Sequence, residues 1–430
     1  MASKKTIKVK KIRLVVLFAS LLVIAFPLFS QKILIPMDLT QNDHLKAYGV
    51  TFNSLREGFN IEWLLNYRGG SFLAPPEQKI MDLCRLNGVD YDLVDGAKIA
   101  DIYAEIEESN MEVVLLEKAP KIAIYTPPNK EPWDDAVTLA LTYAEVPYET
   151  IWDADVLAGK TSEFDWIHLH HEDFTGQFGK FYSSYRNTLW YKQDVATNQE
   201  MARKLGFSKV SDLKLAVALK LRDFISGGGF LFAMCSATDT WDIALAAREI
   251  DIVSAEFDGD PMDIDAQSKL NFDECLAFEN FEIVTNPLVY EHSNIDVKPE
   301  ASSRAFSSEA SYFTLFDFSA KYDPVPTMLV QNHVNIVQDF LGQNSAYNKD
   351  VLKPHGIILG SYENKNAVKY IHGNLGKGSW TFLGGHDPED YAHYIGDPPT
   401  DLNLHKQSPG YRLILNNILF PAAQKKEHKT

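Results

Sequence analysis

Apolar and polar positions fall into blocks along this chain, with a different period in each block. Residues 32–37 predict a strand, 44–57 a helix, and 59–67 a second apolar run closed by Arg68-Gly69-Gly70. Strand, helix and strand at this spacing predict a βαβ unit in a parallel sheet. Pro75-Pro76 opens a helix through Cys84 and Arg85 that Asn87-Gly88 ends, and 112–117 read as a strand. A second series starts at 121–125, a short apolar run suited to a buried strand. A helix over about 133–144 and strands at 148–152 and 164–169 follow. Helix 210–226 runs into Gly227-Gly228-Gly229, and glycine suits such an end because it adopts positive φ without a clash. The strand 230–234 then points at Cys235.

From about 258 to 341 the pattern turns irregular, acidic and aromatic. It reads as an insertion with short strands such as 327–330. Order returns with 356–360, 368–371, the turn Gly376-Lys377-Gly378, the strand 379–383 and a last helix over 411–419. The expectation is an α/β fold: a parallel sheet with helices on both faces, an N-terminal α/β extension at 31–118 and a main domain at 119–421. A polar tail fills 422–430.

The first thirty residues belong to neither series. Lys4, Lys5, Lys8, Lys10, Lys11 and Arg13 precede a 16-residue run, 14–29, that is apolar apart from Ser20 and is broken by Pro27. Ser30-Gln31 supplies a small residue at a cleavage point, so the order is that of a Sec signal peptide. The run is shorter than the roughly 20 residues of a membrane-spanning helix. A periplasmic or secreted protein is the expectation, with no stable membrane insertion after cleavage. Loss of six positive charges would move the net charge from −17 to −23. That excess argues against nucleic acid as a partner, because like charges repel. Three cysteines, Cys84, Cys235 and Cys275, are too few for a disulfide scaffold.

Cys235 follows five apolar residues and precedes Ser236-Ala237-Thr238-Asp239 and a helix beginning near Trp241. A nucleophile on a tight strand-to-helix turn is exposed, and a helix N-terminus stabilises its thiolate. An inert core cysteine is the plain alternative. Far along the chain, Gly384-Gly385-His386-Asp387-Pro388-Glu389 places a glycine-flanked imidazole after a strand, with a carboxylate three residues on. A Cys nucleophile needs such a base near it in space rather than in sequence.

This arrangement resembles the class I glutamine amidotransferase-like superfamily, over roughly 119–421. The Gly-Lys-Gly turn and Gly-His ending are similar to its ThuA-like branch, and Ala233-Met234-Cys235-Ser236-Ala237 is nearer its PfpI-like branch. The resemblance implies a flavodoxin-like sheet, with Cys235 as nucleophile, His386 as base and Glu389 as orienting acid. Two features depart from the family: alanine replaces glycine on both sides of the Cys, and the His-x-Glu spacing is longer by one. The ThuA-like branch generally lacks the Cys, so the fold alone does not guarantee catalysis.

Trp166-Ile167-His168-Leu169-His170-His171-Glu172-Asp173 is the most unusual stretch. On a strand His168 and His170 would share one face and His171 the other. Two imidazoles at that spacing are zinc ligands in some proteins, but no HExxH or CxxC motif accompanies them. Position favours a different use. Loops at the carboxyl ends of parallel strands line the crevice of such sheets, so His170, His171, Glu172 and the loop of Gly176 would face Cys235, with backbone N–H groups for an oxyanion. The expectation is therefore no metal and no cofactor, with a His168–His170 metal site as the lesser alternative. Asp258, Asp260, Asp263 and Asp265 lack EF-hand spacing and read as a solvated loop.

The whole chain is also similar to secreted bacterial proteins commonly labelled asparagine synthetase B. The similarity lies in Leu34-Ile35-Pro36-Met37-Asp38, Leu64-Leu65-Asn66-Tyr67-Arg68-Gly69-Gly70-Ser71 and His170-His171-Glu172-Asp173-Phe174-Thr175-Gly176. That synthetase requires a Cys at the mature N-terminus and an SGGxDS loop, and neither occurs here. Two functions remain as expectations: a Cys-dependent hydrolase or amidase using Cys235 and His386, or a non-catalytic protein. Either would take a small molecule, peptide or glycan as partner.

Overall fold

Two sheets organise the chain. The computed structural model describes residues 31–129, 132–297, 311–363, 365–391 and 394–423. The signal segment expected at 1–30 and most of the tail expected at 422–430 lie outside the described residues. No helix among the described residues is long and apolar enough to cross a membrane.

The first sheet holds β1 (Lys32–Ile35), β2 (Ile61–Leu65), β3 (Ser71–Ala74), β4 (Asp92–Val94) and β5 (Glu112–Leu116), ordered β4-β1-β3-β2-β5. Every pairing in it is antiparallel, which corrects the expected parallel unit. The helix His44–Arg56 does join β1 to β2, but β3 inserts between them. The cause is the turn after β2, where Asn66, Arg68, Gly69 and Gly70 all have positive φ and reverse the chain at once. Side chains there fix the reversal. Nε of Arg68 lies 2.7 Å from Asp38, and a Cβ on Gly70 would fall 2.4 Å from the Gln331 side chain.

The second sheet comprises β6 (Ile122–Tyr125), β7 (Glu149–Ile151), β8 (Trp166–Leu169), β9 (Phe230–Met234), β10 (Tyr312–Leu315), β11 (Ile336–Gln338), β12 (Tyr347–Asn348), β13 (Ile357–Ser361), β14 (Ala367–Leu375) and β15 (Gly378–Leu383). Its parallel half runs β7-β6-β8-β9-β15, and its antiparallel half runs β15-β14-β13-β10-β11, with β12 beside β14. The fold is thus mixed α/β.

Strands buried on both faces read as unbroken apolar runs, and the two faces meet different cores here. Ile122, Ile124, Trp166, Phe232 and Leu383 pack with the helices His44–Arg56, Ala136–Tyr143 and Pro409–Leu419. Ala123, Ile167, Leu231, Ala233 and Phe382 pack with the helices Val210–Gly227 and Ala237–Ala246. Each large side chain so buried contributes about 1.5–3 kcal/mol of hydrophobic stabilisation.

Part of the irregular region also belongs to this sheet, since β10 and β11 form its antiparallel edge. The strand expected at 327–330 is instead part of the 3-10 helix Val325–Val330, where Pro326 lacks the N–H a ladder would need.

Candidate functional site

Four parallel strands deliver the candidate residues to one edge. Asp134 and Asp135 follow β6, His170 and His171 follow β8, Cys235 follows β9, and His386 follows β15. Met234 and Leu383 are paired across β9 and β15, so residues 235 and 386 leave neighbouring strand ends. Backbone bonds tie the edge together. The Cys235 N–H donates to the Gly385 carbonyl at 3.2 Å, and the Ala237 N–H donates to the His170 carbonyl at 3.1 Å.

Cys235 stands on the expected strand-to-helix turn with φ of 51°, a left-handed conformation that is uncommon for a side-chain-bearing residue. The helix after it, Ala237–Ala246, starts earlier than its sequence suggests. The side chain is not exposed: Cys235 is only 4% accessible. Its sulfur accepts the Gln343 N–H at 3.2 Å. Burial pushes the thiol up to about 11, against the backbone donors of Gln343, Ser236 and Asn344. Desolvation therefore outweighs the helix N-terminus here. Cys84 and Cys275 are also buried thiols.

The imidazoles form the densest polar group on the edge. β8 ends at Leu169, so strand alternation stops before His171, and the rings of His170 and His171 stack with centroids 3.9 Å apart. This corrects the expectation that they face opposite sides. The His386 ring lies 4.7 Å from each of them. One ligand nitrogen from each of the three falls within 4.8 Å of the others.

Two aspartates hold these rings. Nε2 of His386 lies 3.3 Å from Asp134 Oδ1, and Nε2 of His171 lies 2.9 Å from the Asp134 carbonyl. Asp135 Oδ2 lies 3.3 Å from both His168 Nε2 and His170 Nδ1. Burial opposes ionisation of Asp135, but the two imidazoles hold its carboxyl well below the usual range. His168, fully buried, is pushed below its ordinary value, chiefly by desolvation.

The other sequence candidates are placed differently. Glu389 engages His405 at 2.8 Å and Tyr391 at 3.0 Å, and Asp134 is the carboxylate seen on His386. Glu172 accepts the His170 N–H at 3.0 Å, and burial pushes its carboxyl up to about 8. Gly176 packs on the start of helix Val210–Gly227, where a Cβ would meet Ser211 N at 2.7 Å, and it lines a cleft with Trp133, His171, Glu172 and Lys214. The acidic loop near Asp258 closes on a lysine: Lys209 Nζ lies 2.5, 3.0 and 2.8 Å from Asp251, Asp258 and Asp260.

Asp134, Asp135 and Gln343 are the residues that sequence reading missed. The helix expected from 133 takes in Asp134-Asp135, whereas the helix begins at Ala136 with Asp135 as its cap, accepting from Thr138 N at 2.8 Å. An aspartate pair just before an apolar helical run is the signal that could have revealed this cap. No local signal marks Gln343, which arrives from 108 residues away.

No protein-family model matches the chain, and no curated protein does either. Among solved structures it is similar to two cytoplasmic proteins of Salmonella typhimurium. STM3548 is 10% identical at a TM-score of 0.33, over 71% of this chain and 100% of that one. STM1381, from strain LT2, is 9% identical at 0.36, over 70% and 99%. Gan42B, a GH42 β-galactosidase from G. stearothermophilus, is 9% identical at 0.27, over 64% of this chain and 29% of that one. Scores this low bear on no functional assignment.

Proposed function

We propose that this chain is a hydrolase for acyl or related polar bonds, with its reaction centre in the histidine–aspartate cluster at the carboxyl edge of β6, β8 and β15. The observation that carries the reading is the meeting of His170, His171 and His386 with Asp134 and Asp135 behind them. Oriented imidazoles are the groups that bind and deprotonate water in general acid–base catalysis. The strand order supports the location. Numbered along the chain, the parallel strands stand 2-1-3-4-5, the order of flavodoxin-like sheets, and ligands of such sheets bind where that order reverses, here between β6 and β8. The same order is consistent with the amidotransferase-like class. A narrow cleft beside the cluster, lined by Trp133, Phe181, His171 and Glu172, has room for a small polar group.

A second reading makes the Cys235 thiol the nucleophile. Its positive φ and the N–H donated to its sulfur favour that role, while its burial opposes it. Turnover of chromogenic ester and anilide substrates by the tag-free protein separates the cases. The first reading expects hydrolysis that falls at least about 100-fold in His386→Ala and persists in Cys235→Ser. Loss in both variants would replace it with the thiol reading. Absence of hydrolysis across the panel would favour a binding protein. Export belongs to the same proposal, and its test is fractionation of the expressing cell, with a cytoplasmic protein of full length as the contrary result.

A further inference from the structure

We propose that His170, His171 and His386 bind one divalent transition-metal ion of the zinc class. The inference deepens the hydrolase reading and rests on the same edge being the reaction centre, but it concerns binding and is tested without a substrate. Three independent features converge on it. First, each residue places a ring nitrogen within 4.8 Å of the other two. Tetrahedral zinc with bonds near 2.0–2.1 Å needs ligand nitrogens roughly 3.4 Å apart, so binding requires the His170 and His171 rings, now stacked with planes 11° apart, to turn out of that stack. Second, His170 is only 1% accessible, and its Nε2 has no hydrogen-bond partner among the described residues. Its other nitrogen lies 3.3 Å from Asp135, within ion-pair distance but without hydrogen-bond geometry, so a carboxylate stands behind the ring and both ring nitrogens are left for a ligand. Third, Asp134 engages both of the other rings through its carbonyl and its carboxylate, which orients them as well.

Competing sets on the same molecule fit less well. Asp135, His168 and His170 also lie close together, but Asp135 already bridges the two rings, and Nδ1 of His168 lies 3.1 Å from the Phe232 carbonyl. The Asp251, Asp258 and Asp260 set holds the ammonium of Lys209, so the protein supplies its own cation there. Three histidines with an open fourth position are the ligand set of a catalytic rather than a structural zinc site. Water in that position becomes acidic near neutral pH, which is the chemistry the hydrolase reading calls for.

The test is calorimetric titration of tag-free, chelator-treated full-length protein with Zn²⁺, paired with Co²⁺ absorption as a report of coordination. The expected result is one ion per chain at sub-micromolar Kd and a Co²⁺ spectrum of tetrahedral type. Single variants His170→Ala, His171→Ala and His386→Ala should each weaken binding at least about 100-fold, and Asp135→Asn about 10- to 100-fold. His405→Ala should leave binding unchanged. Circular dichroism of each variant separates lost ligation from lost folding. Absence of stoichiometric binding, or full affinity in His170→Ala, would overturn the proposal. So would binding abolished by Asp260→Asn but not by the histidine variants. Stoichiometric binding by a protein that hydrolyses no substrate would uphold the metal site while overturning the hydrolase reading.

Discussion

Alkylation of Cys235 by iodoacetamide gives a quantitative expectation. Burial raises its thiol from an ordinary 9.0 to about 11. At pH 7.5 that shift lowers the thiolate fraction roughly 100-fold, from about 3% to about 0.03%. A more basic thiolate is intrinsically more nucleophilic, with a Brønsted slope near 0.4–0.5, which returns about a factor of ten. The net retardation from titration alone is therefore about tenfold relative to the unfolded chain, and restricted access to a 4% accessible residue adds to it. The pH profile carries the sharper signature. Between pH 9 and 10 an ordinary thiol approaches its plateau, whereas Cys235 should still gain nearly tenfold in rate. The assay is pulsed labelling followed by mass-spectrometric quantification of the Cys235 peptide, with Cys84 and Cys275 as buried references in the same digest. A labelling rate at pH 7 equal to or above that of an unfolded control, with an inflection below 8, would contradict a thiol raised by burial. It would mean that an imidazole on this edge deprotonates the sulfur.

Three further outcomes concern stability. Gly49→Ala should destabilise by about 1–3 kcal/mol in urea unfolding, although alanine normally favours a helix, because the added Cβ would sit 1.9 Å from the Ala144 carbonyl oxygen. Lys369→Met should cost about 3–5 kcal/mol, since it strands Asp339, its buried partner at 2.7 Å. Asp339→Asn in the same chain should recover part of that loss. Stability should also fall in acid. Burial, aided by the charge of Arg412, holds His44 at about 4 and His333 at about 3, below their ordinary 6.5. The unfolded chain takes up protons below pH 6.5 while these stacked rings do not, so stability is complete above 6.5 and declines toward pH 4. The His44 shift alone corresponds to about 3 kcal/mol. His333→Asn should flatten the profile, and an unchanged slope would contradict the assignment.

Legibility in the sequence followed the range of the interactions. β6, β8, β9 and β15 read correctly because strands covered on both faces must be apolar throughout, and the turn at Cys235 read correctly because a glycine-ended helix precedes its strand. The direction of β3 did not, since it follows from left-handed residues at Asn66 and Arg68 and from packing on Gln331, 265 residues beyond Asn66. His170, His171 and His386 were all visible as chemistry. Their arrival at one edge of the sheet was also legible, but the stacking of His170 on His171 and the carboxylates behind the rings were not, because His171 leaves the strand before alternation applies and Asp134 and Asp135 lie in the loop after β6. The burial of Cys235 likewise depends on Gln343, at the end of the long irregular region, and no local pattern announces that contact.

Anomalous diffraction from a zinc-soaked crystal, collected on both sides of the zinc absorption edge, locates the ion. One strong peak is expected about 2.0–2.1 Å from a ring nitrogen of each of His170, His171 and His386. A map with no peak at that edge of the sheet, or with the three rings pointing apart, would contradict the proposed site.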